Sequence, residues 1–249
     1  MPGLAAASLR IYNQLASRIV PGHRHTQIAY HEWLLSLLSD RRDWLDLGCG
    51  HQVFPSWVEA DAQGMIARCH KAVGIDLDFP SLRKNLYLRD RVMGSLEHLP
   101  FSSGSFNLVT CNWVVEHLET PAAVLAEIKR VLRPGGRFLF HTPNRNAPSL
   151  RVAAHTPERL KAPLIRLLEQ RRPEDVFRTY YRMNTAEDIQ RLAADAHFEV
   201  ERLEQLSSAA VTAILGPLAI PELLFLRMLQ SERRRGLRSN ILAVLKKSG

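Results

Sequence analysis

The chain has 249 residues, of which 46% are hydrophobic and 23% are charged, and its formal net charge is +8. This length and composition predict one α/β domain with decorations, because two independent domains would be cramped. Three scattered cysteines, Cys49, Cys69 and Cys111, exclude a disulfide framework and predict a reducing, cytoplasmic compartment. The positive charge suits a nucleic acid, an anionic membrane surface or a charged substrate, and it does not choose among them.

The N-terminal segment and the histidines exclude two further classes. Residues 1–8 lack a basic start followed by an apolar run, so we expect no secretory signal. His23 and His25 form the only tight histidine pair, and no acidic residue or cysteine stands nearby at ligand spacing. The sequence therefore predicts no metal site.

The predicted elements begin with two helices, separated by Pro21-Gly22, in which apolar residues recur at helical spacing. Beyond Asp43, short apolar runs typical of buried parallel strands alternate with helical stretches. This alternation predicts a doubly wound α/β sheet with its ligand at the carboxyl ends of the strands. The predicted strands are 44–47, 72–77, 106–113 and 137–141, and the predicted helices are 55–67, 80–88 and 121–132.

The pattern changes after Asn144 and resumes near Thr185. Thr185 and the acidic residue three positions later make a capping-box-like start for a helix over 186–196. Apolar runs at 197–203 and 240–246 are predicted to be the closing strands of the sheet. We therefore predict a single domain over 1–249 with N-terminal helices (1–39), a core (40–143), an insertion (144–184) and a closing segment (185–249).

A glycine-rich turn, Asp46-Leu-Gly48-Cys-Gly50, follows the first predicted strand. Glycine lets the backbone approach a ligand closely because no Cβ blocks the way, although a tight strand-to-helix turn explains the same pattern. Asp76 ends the second predicted strand, 26 positions beyond Gly50, where a carboxylate can accept both ribose hydroxyls of an adenosine-containing ligand. Asp76 alone would also suit the N-cap of a helix ahead of Pro80.

Together the turn and the acid indicate a nucleoside cofactor. NAD is disfavoured because Val53 holds the place of the third glycine in the pyrophosphate signature.

Five segments follow one another along the core: Asp46-Leu-Gly-Cys-Gly50, Gly74-Ile-Asp76, Gly94-Ser-Leu-Glu-His-Leu-Pro-Phe101, Phe106-Asn-Leu-Val-Thr-Cys-Asn112 with Glu116-His117-Leu118, and Val131-Leu-Arg-Pro-Gly-Gly136. In order and spacing they resemble the motifs of class I S-adenosylmethionine (SAM)-dependent methyltransferases of the small-molecule type, which are often labelled ubiquinone or menaquinone biosynthesis methyltransferases. The resemblance implies a Rossmann-like, doubly wound sheet of seven strands, mostly parallel with an antiparallel final strand. It also implies SAM as the cofactor.

The same resemblance implies a set of cofactor-binding residues: Asp46, Gly48 and Gly50 at the methionine end, Asp76 at the ribose, Ser95 and Leu96 beside the adenine, Asn112 beneath the sulfonium, and Cys49 and Leu77 among these. Two positions depart from the family pattern. Ser95 stands where an aspartate often accepts a hydrogen bond from the adenine amino group, and Gln52 stands where a small residue is common. A serine hydroxyl can still accept that hydrogen bond.

Methyl transfer needs alignment of acceptor, methyl and sulfur rather than a covalent nucleophile. A general base helps only where the acceptor must lose a proton. His117, after the fourth core strand, and His141, at the carboxyl end of the fifth, are the candidates, and His141 is preferred. Either histidine could instead be a packing or hydrogen-bonding residue.

Two segments outside the motifs bear on the acceptor. Arg171–Tyr181 carries aromatic and guanidinium groups and is either a lid over the substrate or a surface helix and loop. Leu206–Leu226 carries one charge, Glu222, and the cluster Arg233-Arg-Arg235 follows it. Because glycine and prolines interrupt this segment, we expect no spanning helix but docking at a membrane interface, a lid over a greasy substrate, or a helix that covers the core.

The leading hypothesis is methyl transfer from SAM to a small-molecule or lipid-linked acceptor, O- or C-directed, in the cytoplasm or at the inner face of a membrane. One alternative is methylation of RNA. Against it, Asn112-Trp-Val-Val stands where nucleobase amino methyltransferases carry an Asn-Pro-Pro-Tyr-like motif with a stacking residue for a flipped base. Another alternative is a noncatalytic, membrane-associated SAM-binding protein.

Overall fold

The computed structural model describes residues 2–38, 42–53, 59–155, 178–207 and 218–248. The helices are α1 (Pro2–Ile19), α2 (Thr26–Leu37), α3 (Glu59–Arg68), α4 (Phe79–Lys84), α5 (Pro121–Val131), α6 (Pro148–His155), α7 (Ala186–Asp195) and α8 (Ile220–Leu229), with 3₁₀ helices at Val115–His117 and Glu232–Leu237. The strands are β1 (Asp43–Leu47), β2 (Lys71–Asp76), β3 (Asp90–Met93), β4 (Phe106–Asn112), β5 (Leu132–Pro143), β6 (Phe198–Leu206) and β7 (Asn240–Lys247).

Seven strands form one mixed sheet in the order β3-β2-β1-β4-β5-β7-β6. Neighbours from β3 to β5 pair in parallel, and β7 runs antiparallel to both β5 and β6. The predicted doubly wound sheet of seven strands with an antiparallel final strand is therefore confirmed. All five residues of β1 are buried, as expected of a central parallel strand covered on both faces.

The strand register places the ends of the central strands side by side. Leu47 of β1 pairs with Ile75 of β2 on one side and with Cys111 of β4 on the other. Asn112, the last residue of β4, pairs with His141 of β5. The residues that end β1, β2, β4 and β5 therefore line one edge of the sheet, where open α/β sheets bind their ligands.

The core is built on these strands and on the apolar stripe of α5. Val124, Leu125, Ile128 and Val131 of α5 are all buried, at the spacing of one helical face. Burying an aliphatic side chain of this kind stabilises a fold by about 1.5–3 kcal/mol. The largest fully buried side chains lie on the strands: Trp44, Phe106, Phe138 and Phe140.

Several predicted boundaries differ from the structure for local reasons. β3 was not predicted, because this short edge strand shows no alternation of apolar and polar residues and is mostly exposed. The helix predicted over 80–88 ends at Lys84, where the N–H of Asn85 donates to Leu82 as the chain leaves the helix. Residues 133–136, predicted as a turn, lie within β5 and produce a register shift against β4. The N-cap of α4 is Asp78 and not Asp76.

Other predictions are confirmed by the described residues. Two N-terminal helices flank Pro21-Gly22. The side chain of Thr185 accepts a hydrogen bond of 3.0 Å from the N–H of Asp188 and caps α7. The insertion contains α6, which was not predicted, and residues 156–177 lie outside the described chain.

The described chain groups into two compact units. The larger holds residues 29–143, 179–204 and 241–249, and the smaller holds 1–28, 144–178 and 205–240. In the smaller unit, Leu223 and Leu226 of α8 pack with Tyr12 of α1 and with Val20. One domain over 1–249 stays a prediction.

Candidate functional site

The glycine-rich turn leaves β1 in a conformation that favours glycine. Gly48 has φ = 64° and Gly50 has φ = 50°, both in the left-handed region. The N–H groups of Gly48 and Cys49 donate to the carbonyl of Ile75, at 2.8 and 3.2 Å, and thereby fix the turn on β2. A Cβ on Gly48 would lie 2.3 Å from Cγ2 of Val114, whereas a Cβ on Gly50 would meet no atom of the described residues within 4 Å. Among the described residues, the turn is therefore tightly packed at Gly48 and open at Gly50.

Asp76, at the end of β2, is joined directly to this turn. Its Oδ2 atom accepts a hydrogen bond from the N–H of Gly50 at 2.8 Å, and its Oδ1 atom accepts one from the N–H of Asp78, also at 2.8 Å. Each carboxylate oxygen can accept more than one hydrogen bond, so both can still receive a hydroxyl. Leu77, beside it, is 68% exposed. The predicted acid and the predicted turn thus meet at one point.

The side chain of Asn85 forms a hydrogen bond with the turn, and Asn85 was not predicted as a functional residue. Its side-chain nitrogen donates to the carbonyl of Gly50 at 3.0 Å, and its side-chain oxygen accepts from the N–H groups of Tyr87 and Leu88 at 3.0 Å. Arg91 in turn donates to the backbone carbonyl of Asn85. The buried amide of Asn85 therefore holds the turn in place. Because Asn85 lies far from the turn in sequence, no local motif indicates this contact.

Asp46 is a buried carboxyl with a hydroxyl partner. The Thr110 hydroxyl donates to Oδ1 of Asp46 at 2.6 Å and accepts from the indole nitrogen of Trp44 at 2.8 Å. Burial raises the pKa of Asp46 to about 7, the nearby charge of Asp76 adds to the rise, and the hydrogen bond from Thr110 acts against it. Asp46 can therefore change its charge near neutral pH.

Aromatic rings surround His141, which is fully buried at the carboxyl end of β5. The His141 ring stacks on Tyr30 of α2, with centroids 6.0 Å apart, and meets the edge of Trp113 at 4.7 Å. Its Nδ1 atom lies 3.0 Å from Oδ1 of Asn112. An amide oxygen can only accept, so Nδ1 carries the proton and the lone pair of a neutral imidazole lies on Nε2.

Tyr30 connects the His141 region with Asp46. Burial raises the pKa of the Tyr30 hydroxyl, the Asp46 carboxyl raises it further, and a hydrogen bond with Thr110 acts against the rise. Trp113 has φ = 59°, which is unusual for a bulky residue, and its N–H donates to the carbonyl of His141 at 3.0 Å. Backbone strain of this kind is concentrated at functional sites. Neither Tyr30 nor Trp113 was predicted to belong to the site.

Ser95 and Leu96 follow β3. The N–H of Gly94 donates to the carbonyl of Asp76 at 3.1 Å, which brings this segment beside the ribose candidate. The Ser95 hydroxyl accepts from the N–H of Glu97 at 3.2 Å, and Leu96 packs, partly buried, against the core. The Ser95 hydroxyl therefore stabilises the local turn through this hydrogen bond. It retains a proton to donate and a second lone pair to accept.

His117 ends a 3₁₀ helix and is partly buried, whereas Glu116 beside it is buried. The Thr142 hydroxyl donates to Oε2 of Glu116 at 3.1 Å and accepts from the side-chain nitrogen of Asn184 at 2.6 Å. The N–H groups of Tyr180 and Tyr181 donate to the carbonyl of Glu116. Glu116 thus ties the end of β4 to β5 and to the chain that precedes α7.

The remaining predicted features are only partly described. Of the segment Arg171–Tyr181, only the last four residues belong to the described chain, and residues 208–217 of Leu206–Leu226 lie outside it. None of the described helices is both long and apolar enough to cross a membrane. Within the described ranges, no three side chains of His, Cys, Asp or Glu gather in a way that could hold a metal ion.

The chain is similar to proteins described as methyltransferases. A family model described as a methyltransferase domain matches residues 45–140. A protein of Mycolicibacterium smegmatis described as a "probable S-adenosylmethionine-dependent methyltransferase" is 30% identical over 218 residues, which cover 77% of this chain and 82% of that protein. A ubiquinone biosynthesis O-methyltransferase of Thiobacillus denitrificans is 29% identical over 178 residues, which cover 68% of this chain and 70% of the relative.

A solved structure has a similar fold. The crystal structure of an S-adenosylmethionine-dependent methyltransferase from Mesorhizobium loti superimposes with a TM-score of 0.57 at 17% identity, covering 88% of this chain and 95% of that one. At this identity the likeness concerns the fold.

Proposed function

Because the chain belongs to the class I SAM-dependent methyltransferases, we propose that the carboxyl edge of β1, β2, β4 and β5 holds SAM and presents its methyl group to a small-molecule or lipid-linked acceptor. The hydrogen bond between Gly50 and Asp76 carries the proposal for the cofactor, because it places a carboxylate beside an open glycine turn at the ligand edge of the sheet. Cys49 and Leu77 flank these two residues in sequence.

The donor set fits the cofactor. The Asp76 carboxylate can accept the two ribose hydroxyls, and the free space at Gly50 admits a ligand against the backbone. The ionised carboxylate of Asp46, next to Gly48, would attract the ammonium group at the methionine end. Ser95 and Leu96 would flank the adenine.

SAM supplies a methyl group activated by a positively charged sulfur, and the chain's own residues align the acceptor with it. Asn112 would line the floor beneath the sulfur, held by its contact with His141. The Nε2 lone pair of His141 would take the proton of an acceptor hydroxyl, and the flanking rings of Tyr30 and Trp113 hold the imidazole in one orientation. His117 is the second candidate for this role.

The acceptor we propose is a hydroxyl or an activated carbon on a quinone precursor, free or attached to a lipid tail. Support comes from the relatives named ubiquinone biosynthesis O-methyltransferases, which are about 30% identical to this chain. A lipid-linked acceptor would place the enzyme in the cytoplasm at the inner face of a membrane. We propose no nucleic-acid substrate.

Titration calorimetry with SAM and labelled methyl transfer test this proposal. The chain is offered quinone precursors with a phenolic hydroxyl, each with and without a prenyl tail, together with methyl-labelled SAM. We expect micromolar SAM binding and a labelled product from the phenolic compounds. Labelled product from RNA but from no phenolic compound would contradict the acceptor class, and an Asp76→Ala variant with unchanged SAM affinity would contradict the cofactor site.

A further inference from the structure

Helix α8 of the smaller unit is apolar on two faces. Leu223, Leu226 and Leu229 are buried, and the first two pack with residues of α1 and with Val20. The other face carries Leu224, Phe225 and Met228, which are 54%, 37% and 39% exposed. We call these three side chains the outer face. A helix on a protein surface ordinarily turns polar residues to water, and Glu222 and Arg227 are the only charged residues of α8.

The chain places arginines directly beside the end of this helix. Arg233, Arg234 and Arg235 lie exposed in the 3₁₀ helix Glu232–Leu237, and we call them the arginine run. Arg234 also donates to the carbonyl of Met228 at 3.4 Å. The arginine run is therefore in contact with α8 through Arg234, at the residue Met228 that belongs to the outer face.

Arg238 anchors the arginine run to α8. Its guanidinium donates to the carbonyls of Leu229 and Gln230, at 3.0 and 2.9 Å, and to the carboxylate of Glu232 at 2.6 Å. A fourth hydrogen bond reaches the carbonyl of Gln205 at 3.1 Å. Arg238 thus makes its hydrogen bonds within the chain, and these bonds fix the position of the arginine run, which remains exposed.

We propose that the outer face and the arginine run together form a docking surface for a membrane of anionic phospholipids. Exposed apolar side chains insert at the boundary of headgroups and acyl chains, and adjacent guanidinium groups bind lipid phosphates. The net charge of +8 attracts the chain to such a surface from a distance. This surface goes beyond the methyl-transfer site, and its use to reach a lipid-linked acceptor rests on the proposed function.

Vesicle flotation of the full chain tests the proposal. We compare vesicles of phosphatidylcholine alone with vesicles that also contain phosphatidylglycerol. The chain is expected to float with the anionic vesicles and to remain in solution with the neutral ones. Replacing two charges, in Arg233→Gln with Arg235→Gln, is expected to weaken binding by about tenfold or more, because each juxtamembrane arginine is worth about fivefold in affinity.

Two further variants examine the apolar part and the role of total charge. Leu224→Ser with Met228→Ser is expected to abolish flotation. In a Phe225→Trp variant, the tryptophan emission is expected to shift to the blue, relative to that of the wild type, when anionic vesicles are added. The matched control, Arg68→Gln with Arg89→Gln, removes the same charge from exposed positions of the larger unit. Equal loss with this control would show that only total charge matters and would overturn the proposal.

Other outcomes are equally decisive. Absence of flotation with anionic vesicles overturns the docking surface. The docking surface is also overturned if sedimentation shows a dimer of the wild type that becomes monomeric in Leu224→Ser with Met228→Ser. The outer face would then bind a second copy. SAM affinity measured on the same variants separates the two proposals: docking can fail while SAM binding persists, and a wild-type chain that binds vesicles but not SAM would contradict only the proposed function.

Discussion

The N–H of Gly50 and the Oδ2 atom of Asp76 are joined by a hydrogen bond of 2.8 Å, across 26 positions of sequence. This contact links the turn after β1 with the end of β2. The Asp76 carboxylate therefore has two tasks, to hold the turn and to accept the ribose hydroxyls of SAM.

Asp76→Ala is expected to lower the affinity for SAM by about 100-fold or more. Two hydrogen bonds to a charged group are lost, each worth about 1.5–3 kcal/mol. Calorimetry measures the affinity, and circular dichroism shows whether the variant is folded. Asp78→Ala is the matched control: it removes the N-cap of α4 and should cost about 1 kcal/mol of stability while leaving SAM affinity nearly unchanged. Equal loss of affinity in both variants would mean that Asp76 acts only through the local backbone.

The two glycines of the turn are expected to respond differently to alanine. Gly48→Ala places a Cβ 2.3 Å from Cγ2 of Val114, so the free energy of unfolding should fall by several kcal/mol, about 1–2 of them from the left-handed backbone. The double variant with Val114→Ala should recover part of this loss. Urea titration of the wild type and of these two variants measures both effects. A Gly48→Ala variant as stable as wild type would contradict the packing described.

In Gly50→Ala the new Cβ meets no atom of the described residues within 4 Å, so this substitution should cost only the backbone strain of about 1–2 kcal/mol. Because we propose that the cofactor occupies this free space, its SAM affinity should fall at least tenfold while the chain stays folded. Calorimetry beside a melting curve checks this, and undiminished affinity would place the cofactor elsewhere.

The sequence predicts the edge of the sheet well because each predicted residue there lies within two positions of the end of its strand. Asp46, Asp76, Asn112 and His141 could be placed by strand ends alone, since parallel strands present their carboxyl ends together. The register then follows from the buried apolar runs.

What could not be predicted depends on contacts between distant residues. Asn85 follows a short helix and carries no motif, yet its side chain supports the turn 35 positions away. In the sequence, Thr110 is one more residue of a predicted buried strand, although its hydroxyl donates a hydrogen bond to Asp46. Tyr30 lies in a predicted helix, and nothing in the sequence pattern indicates its contact with His141. The role of each side chain depends on its partner, which a pattern of hydrophobicity does not encode.

The raised pKa of Asp46 predicts a pH dependence of SAM binding. Burial lifts this pKa from 3.8 to about 7, so the ligand-free chain is largely protonated there at pH 6. If the ionised form attracts the ammonium group of SAM, affinity should fall about tenfold per pH unit below 7 and become constant above 8. Calorimetry at pH 6 in buffers of different ionisation enthalpy should detect proton release. Asp46→Asn should bind SAM weakly and without this dependence.

The same group predicts a stability profile for the ligand-free chain. Between pH 3.8 and about 7 the folded chain holds a proton on Asp46 that the unfolded chain has lost. This group's contribution to the free energy of unfolding therefore decreases as the pH rises through that window. The difference between wild type and Asp46→Asn, in urea titrations at pH 5 and pH 8, isolates it. A difference that grows in favour of wild type toward pH 8 would contradict the assignment.

His141→Gln is expected to lower kcat by 100-fold or more with a phenolic acceptor, because a positioned base contributes about 10²–10⁴-fold. SAM affinity should change less than threefold, since the glutamine side-chain nitrogen can donate to Oδ1 of Asn112 in place of Nδ1 of His141. His117→Gln is the matched control and should retain most activity. If instead His117→Gln lowers kcat by 100-fold and His141→Gln only lowers the melting temperature, then His141 is a packing residue between Tyr30 and Trp113, and the proton is taken by His117.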